Sequence, residues 1–155
     1  MKENAKAVHT IWFADDNEFA LGALKGIFRT QIRGAQIRTF CSADALIEQL
    51  QKTAEPSAAD ARREPDILFL DQSMPGTGGI EAIPSILQHI PSVKIIMLTH
   101  YAFPRFAEHA LRQGAYGYVL KSSDPQQFLD AMQVVMQGGK YIDPSIADDV
   151  LNSAS

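Results

Sequence analysis

Five short runs of apolar and β-branched residues, VHTIWFA (8–14), AQIRTF (35–40), DILFLD (66–71), VKIIMLT (93–99) and AYGYVLK (115–121), alternate with segments of helical period. Each run has the length of a strand and the near-continuous apolar character of one buried on both faces. Between them, apolar residues return every three or four positions: Ala20, Leu24, Ile27 and Phe28 in one segment, Phe106, Ala107, Ala110 and Leu111 in another, Phe128, Ala131, Met132 and Val135 in a third. Stripes of this kind pack on a sheet face. Strict alternation with buried strands predicts a parallel sheet covered on both sides, and right-handed crossovers make an open doubly wound sheet the natural solution. The expected fold is α/β and flavodoxin-like: a five-stranded parallel sheet in the order 2-1-3-4-5 with helices on both faces.

Local signals set the boundaries. In SDPQQFLDAM, Asp124 can N-cap a helix with Pro125 in its first position, and Gln127 completes a capping box. A second Asp-Pro starts a short last helix at about Pro144. Pro84 falls inside the pattern of GGIEAIPSILQHI, which predicts a late start or a kink there. Residues 52–64 lack a strong period and read as a long surface loop, with a continuation of the preceding helix as the alternative.

The 155 residues suffice for one domain with a real core. A net charge of -4 argues against binding a nucleic-acid backbone unaided, since that runs on clustered Lys and Arg. The single Cys41 excludes an internal disulfide and any Cys-based zinc site, and the four histidines show no chelating pattern. The N-terminus lacks an apolar signal core and no run is long enough to span a bilayer, so a cytoplasmic chain without a membrane partner is expected.

Open parallel sheets bind ligands at the carboxyl ends of their strands. Here strand one ends in Asp15 and Asp16, strand three in Asp71, strand four in Thr99 and strand five in Lys121. Strands one and three are neighbours in the expected order, so three carboxylates converge. They repel one another unless a cation sits among them, and an all-oxygen donor set favours Mg²⁺ or Mn²⁺ over zinc. Such a cation suits phosphoryl transfer, with Asp71 as nucleophile, Lys121 as a compact charge for a phosphoryl oxygen and Thr99 as a hydrogen-bond donor. Singly, each residue has an ordinary structural explanation. It is their joint placement at the correct strand ends that points to a site.

FADDNE, LFLDQSMPGTGG, IIMLTHY and GAYGYVLKSS together resemble the receiver domain of bacterial two-component response regulators, over about residues 8–138. The resemblance implies a CheY-like fold, Asp71 as phosphoacceptor, Asp16 assisted by Asp15 in holding Mg²⁺, and the Ser73 backbone carbonyl as a further ligand. It also implies Thr99 and Tyr118 as a switch pair, Lys121 as the phosphate-contacting base, and a sensor histidine kinase as donor. Phosphorylation would draw in Thr99 and let Tyr118 turn inward.

The tail VVMQGGKYIDPSIADDVL is similar to the junction of the NarL/FixJ (LuxR-type) subgroup, in which a helix-turn-helix DNA-binding domain follows. Only 14 residues follow Tyr141, too few for such a reader, so the expected organisation is a receiver at 1–138 and a linker stub at 139–155, excised from a longer protein. DNA contact would come only through the absent output domain, with a homodimer as a further candidate assembly. The function implied is a phosphorylation-dependent switch of transcription, a regulatory phosphoacceptor rather than an enzyme.

The sequence departs from the family in several places. The loop after the second helix is roughly ten residues longer, an insertion that surface loops tolerate, and Ser122 stands where many receivers have a proline. Ser73 and Tyr101, each two residues past a site residue, stand at positions that flank the phosphoryl group in the family, and Tyr101 is expected to shield it from water. A dedicated phosphatase would need an acid at Ser73 to protonate the leaving group. A flavin module would need a phosphate cradle where the acidic DDNEF stands. The remaining alternative is a receiver-like binding module that works independently of phosphorylation.

Overall fold

A computed structural model describes residues 10–32, 34–52, 64–73 and 76–153. The expected loop at 52–64 lies outside the described residues except at its ends, as do the first two residues of the first predicted strand. The sheet is parallel throughout, in the order β2-β1-β3-β4-β5-β6. Its strands are β1 (Thr10–Ala14), β2 (Gln36–Phe40), β3 (Ile67–Leu70), β4 (Lys94–Thr99), β5 (Gly117–Leu120) and β6 (Tyr141–Ile142). The five expected strands take the expected order, and β6 adds a two-residue edge beside β5, paired Gly117 with Tyr141 and Tyr118 with Ile142. The chain thus has the CheY-like α/β fold.

Alternation along each strand divides the core between the two faces of the sheet. Ile11 and Phe13 of β1, Ile67 and Phe69 of β3, and Ile96 and Leu98 of β4 meet helices α1 (Glu18–Gln31) and α5 (Pro125–Met136). There the rings of Phe13, Phe28 and Phe69 stack on one another, with centroids 5.2–5.6 Å apart. Trp12, Leu68, Leu70, Ile95 and Met97 point the other way, into α2 (Ala43–Lys52), α3 (Gly79–His89), α4 (Pro104–Gln113) and α6 (Pro144–Ser153).

Among the expected stripes, Leu24 and Phe28 are buried, and Phe128, Ala131, Met132 and Val135 are buried throughout. The stripe on α4 is corrected: Ala107 and Ala110 pack inward, but Phe106 is 36% exposed, because it lies in the first turn, where Tyr101 and Phe103 hold it at the surface. The capping box on α5 is half formed. Asp124 accepts the Gln126 N–H at 2.9 Å, whereas Gln127 does not reach back: its Oε1 accepts the Tyr141 hydroxyl at 2.6 Å, tying α5 to β6. Nor does α3 start late; it runs from Gly79 to His89 with Pro84 inside it, carried by the buried Ile80, Ala82, Ile83 and Ile86. Gln72 supplies the start that Gly78 cannot, its Oε1 accepting the Ile80 N–H at 2.7 Å.

The segment after α5 is packed against the sheet. Its helix α6 lies on α4, and Ile146 and Val150 join the core cluster of that face. We expect Ile146→Ala to lower the urea-unfolding free energy of the whole domain by about 2–5 kcal/mol. Leu151→Ala, at a residue 70% exposed, should change it by less than ~0.5 kcal/mol. Equal effects would mean that α6 lies outside the cooperative unit.

Candidate functional site

Each of three site residues is the first residue beyond a strand, and in each the backbone continues the ladder by one bond. The Asp15 N–H donates to the Phe40 carbonyl (3.0 Å), the Asp71 N–H to Ala14 (2.9 Å) and the Lys121 N–H to Thr99 (2.7 Å). The pleat therefore fixes where these side chains emerge. Beyond Asp71 the chain folds back tightly: the Gly79 N–H donates to the Gln72 carbonyl at 3.2 Å, and a Cβ on Gly79 would run into the Asp71 carbonyl oxygen. Gly76, at φ +82°, makes the turn, and the neighbouring Thr77 N–H donates to Asp44 Oδ2 at 3.3 Å, which moors the loop to α2.

The structure brings Asp15, Asp16 and Asp71 together, with one oxygen of each lying within 4.8 Å of the others. Asp15 and Asp71 are buried and Asp16 is exposed. Lys121 Nζ stands between the two buried carboxylates, 2.8 Å from Asp15 Oδ2 and 3.3 Å from Asp71 Oδ2. Asp15 Oδ2 is fully buried and, among the described residues, accepts no hydrogen bond of ordinary geometry, so the Lys121 ion pair is its compensation there. Its other oxygen accepts the Asn17 N–H at 2.9 Å. Three carboxylates against one ammonium leave excess negative charge in a closed space. Burial, and next the Asp15 carboxylate, raise the Asp71 pKa to about 6, against the opposing pull of Lys121 and the Ser73 N–H.

A buried carboxylate oxygen with no hydrogen-bond donor but one lysine among the described residues, beside the oxygens of two further carboxylates, fits a hard divalent cation. Asp15, Asp16 and Asp71 are the described side chains whose carboxylates lie close enough together to hold it.

Thr99 is fully buried and bonds to both Tyr101 and Tyr118. Its Oγ1 accepts the Tyr101 N–H at 3.1 Å, and its hydroxyl also lies on the Tyr118 phenol. Among the described residues no hydrogen bond joins Thr99 to Asp71. Tyr118 is inward and 1% exposed, donating to the Tyr101 carbonyl at 2.6 Å; burial pushes its phenol up to about 12, the Thr99 hydroxyl opposing. The inward position expected to follow phosphorylation is thus the one this structure holds.

Ser73 is exposed, and its hydroxyl donates to the Tyr101 hydroxyl at 2.9 Å, bridging the loop after Asp71 to the loop after Thr99. Tyr101 therefore meets Ser73, Thr99 and Tyr118 through its side chain, its N–H and its carbonyl. The sequence marked Tyr101 only as a shield, because its backbone bonds have no sequence signal. It also passed over Gln72, whose position directly after a strand-ending aspartate and ahead of a glycine-rich turn was the available clue.

The family model for the response regulator receiver domain matches residues 11–133. Among curated proteins, the oxygen regulatory protein NreC of Staphylococcus carnosus is 38% identical over 92 residues, 59% of this chain and 42% of its own. The transcriptional regulatory protein DesR of Bacillus subtilis is 28% identical over 148 residues, 94% of this chain and 67% of its own. The chain thus spans less than half the length of NreC. A LuxR-family two-component response regulator from Aurantimonas sp. SI85-9A1 superposes with a TM-score of 0.76 at 28% identity, covering 96% of this chain and 99% of that one. With its strand-end carboxylates, buried lysine and parallel sheet already in place, the chain belongs to the response regulator receiver domain family.

Proposed function

We propose that the chain is a phosphorylation-dependent signalling switch in which Asp71 accepts a phosphoryl group from a sensor histidine kinase. The observation that carries this reading is the burial of Asp71 beside Lys121 at 3.3 Å and within reach of two further carboxylates. A carboxylate whose pKa is raised is more basic, hence a better nucleophile once ionised. Its oxygen attacks phosphorus in line; the O–P bond forms as the P–N bond of a phosphohistidine breaks, and the freed imidazole nitrogen keeps the electron pair and takes a proton from water. Mg²⁺ or Mn²⁺, held by Asp15, Asp16, Asp71 and the Ser73 carbonyl, would supply charge neutralisation at the phosphoryl oxygens.

Lys121 is positioned to follow the phosphoryl group, exchanging part of its pairing with the two carboxylates for a phosphoryl oxygen. Thr99 supplies its hydroxyl to another oxygen and reports the event through Tyr101 and Tyr118. The phosphoryl group then favours the inward Tyr118 over an outward one, a shift between two packings of α4 and β5. In the longer protein implied by NreC and DesR, the readout is homodimerisation or control of a DNA-binding output domain attached beyond the 139–155 segment. The receiver regulates and turns over only its own phosphoryl group.

Incubation with acetyl phosphate and Mg²⁺ should add one phosphate by intact mass, a gain abolished in Asp71→Asn and by chelation. No transfer from acetyl phosphate or from a phosphorylated kinase would overturn the reading in favour of a phosphorylation-independent binding module. Loss of the Ser73–Tyr101 bridge exposes the phosphoryl position, so Tyr101→Ala should hydrolyse its aspartyl phosphate about five-fold faster, ~1 kcal/mol of barrier. An unchanged rate, followed by phosphate release, would remove the shielding role.

Charge crowding sets a third expectation. The folded-state pKa of Asp71 lies above its unfolded value of 3.8, so the fold loses stability as pH rises from about 4 through about 6 and stays weakened above. Asp71→Asn cannot charge and should melt higher than wild type at pH 7–8 in chelator, by about 1–3 kcal/mol, and equally at pH 4. Mg²⁺ should close most of that gap.

A further inference from the structure

Asp143, in the N-cap position of α6, is 1% exposed, and its carboxylate is filled on both oxygens. Oδ1 accepts the Ser145 N–H at 3.0 Å and the Ser145 hydroxyl at 2.8 Å, as a helix cap should. Oδ2 does something a cap does not require. It crosses to the end of β5 and accepts the Leu120 N–H at 3.0 Å and the Ser123 hydroxyl at 2.5 Å, one residue before and two residues after Lys121. The Asp143 N–H meanwhile donates to the Tyr118 carbonyl at 2.8 Å. Burial works against the charge, but the bonds from Ser123, Leu120 and Ser145 outweigh it and hold the carboxyl below the usual carboxylate range.

One residue of the C-terminal segment thus holds the Leu120 N–H and the Ser123 hydroxyl, on either side of the site lysine, and the carbonyl of the switch tyrosine. Lys121 Nζ reaches Asp15 and Asp71 from a turn whose ladder bond to Thr99 fixes one side, and Asp143 ties the same turn to the tail. We propose that Asp143 is a positioning residue that makes docking of the β6–α6 segment and occupancy of the Asp71 site mutually dependent. The inference rests on the function proposed above and adds the route by which the site is felt at the chain's C-terminal side. Coupling of this kind is reciprocal: a site that fixes Lys121 tightens the tail, and a docked tail favours the occupied site.

The test is amide hydrogen exchange on the full chain, with and without beryllofluoride and Mg²⁺ as the phosphoryl mimic. In wild type, peptides covering 71–73 and 99–101 should gain protection, and the 141–153 peptide should exchange about five-fold more slowly or better. In Asp143→Asn the site peptides should still respond while the tail response is lost. Ser123→Ala, at a half-buried position whose loss does not threaten folding, should do the same, and Ser123→Thr, which keeps the hydroxyl, should restore it. A protected site with an indifferent tail in wild type overturns the coupling and leaves the phosphoacceptor reading standing. Tail protection that persists in Asp143→Asn and Ser123→Ala overturns the role of Asp143 and assigns it to the packing of Ile146 and Val150. No protection anywhere overturns both.

Discussion

Two carboxylates and one ammonium share a closed space at the carboxyl edge of the sheet, and the rest of the molecule is arranged so that this crowding holds. Left to flexible loops, Asp15 and Asp71 would swing apart into water, where like charges cost little. They stay because the backbone of each is bonded into the ladder one residue past its strand, and because those strands are buried on both faces. A rigid apolar slab therefore imposes an electrostatic conflict at its rim. A cation that relieves the conflict binds with energy the fold has already stored.

Around that rim, two backbone positions distribute the consequences. Tyr101 gathers Ser73, Thr99 and Tyr118, so the loop over the site and the ring beneath α4 cannot move separately. Asp143 does the equivalent on the other side of β5, gathering Leu120, Ser123 and Tyr118. Tyr118 belongs to both groups, by its hydroxyl to one and by its carbonyl to the other. A side chain and a main-chain oxygen of one residue thus span the width between site and tail.

What was legible in the sequence is what periodicity and strand ends encode. Ile11 and Phe13 against Trp12 and Ala14 announce a strand buried on both faces, and an aspartate closing such a run announces a site. What was not legible depends on contacts between segments far apart. Tyr141–Ile142 is too short to carry a period, and becomes a strand only because β5 has a free edge beside it. Gln127 sits where a capping box would use it, yet the Tyr141 hydroxyl competes for its oxygen and wins. Phe106 obeys the helical stripe and is still exposed, since two aromatic neighbours outside the helix offer it an alternative to the core. Asp143 looked like ordinary helix punctuation because only one of its two oxygens performs that task.

The two-residue strand β6 also closes an edge. Without it, β5 would present its outer N–H and C=O groups to solvent along an apolar run of Gly117 to Leu120, a template on which any extended chain could add itself. The Tyr141 and Asp143 amides cover that template by donating to the Tyr116 and Tyr118 carbonyls. The tail is in this sense a seal as well as a connection: whatever frees it also strips the outer edge of β5 of its partner and leaves those carbonyls and amides open to another extended chain.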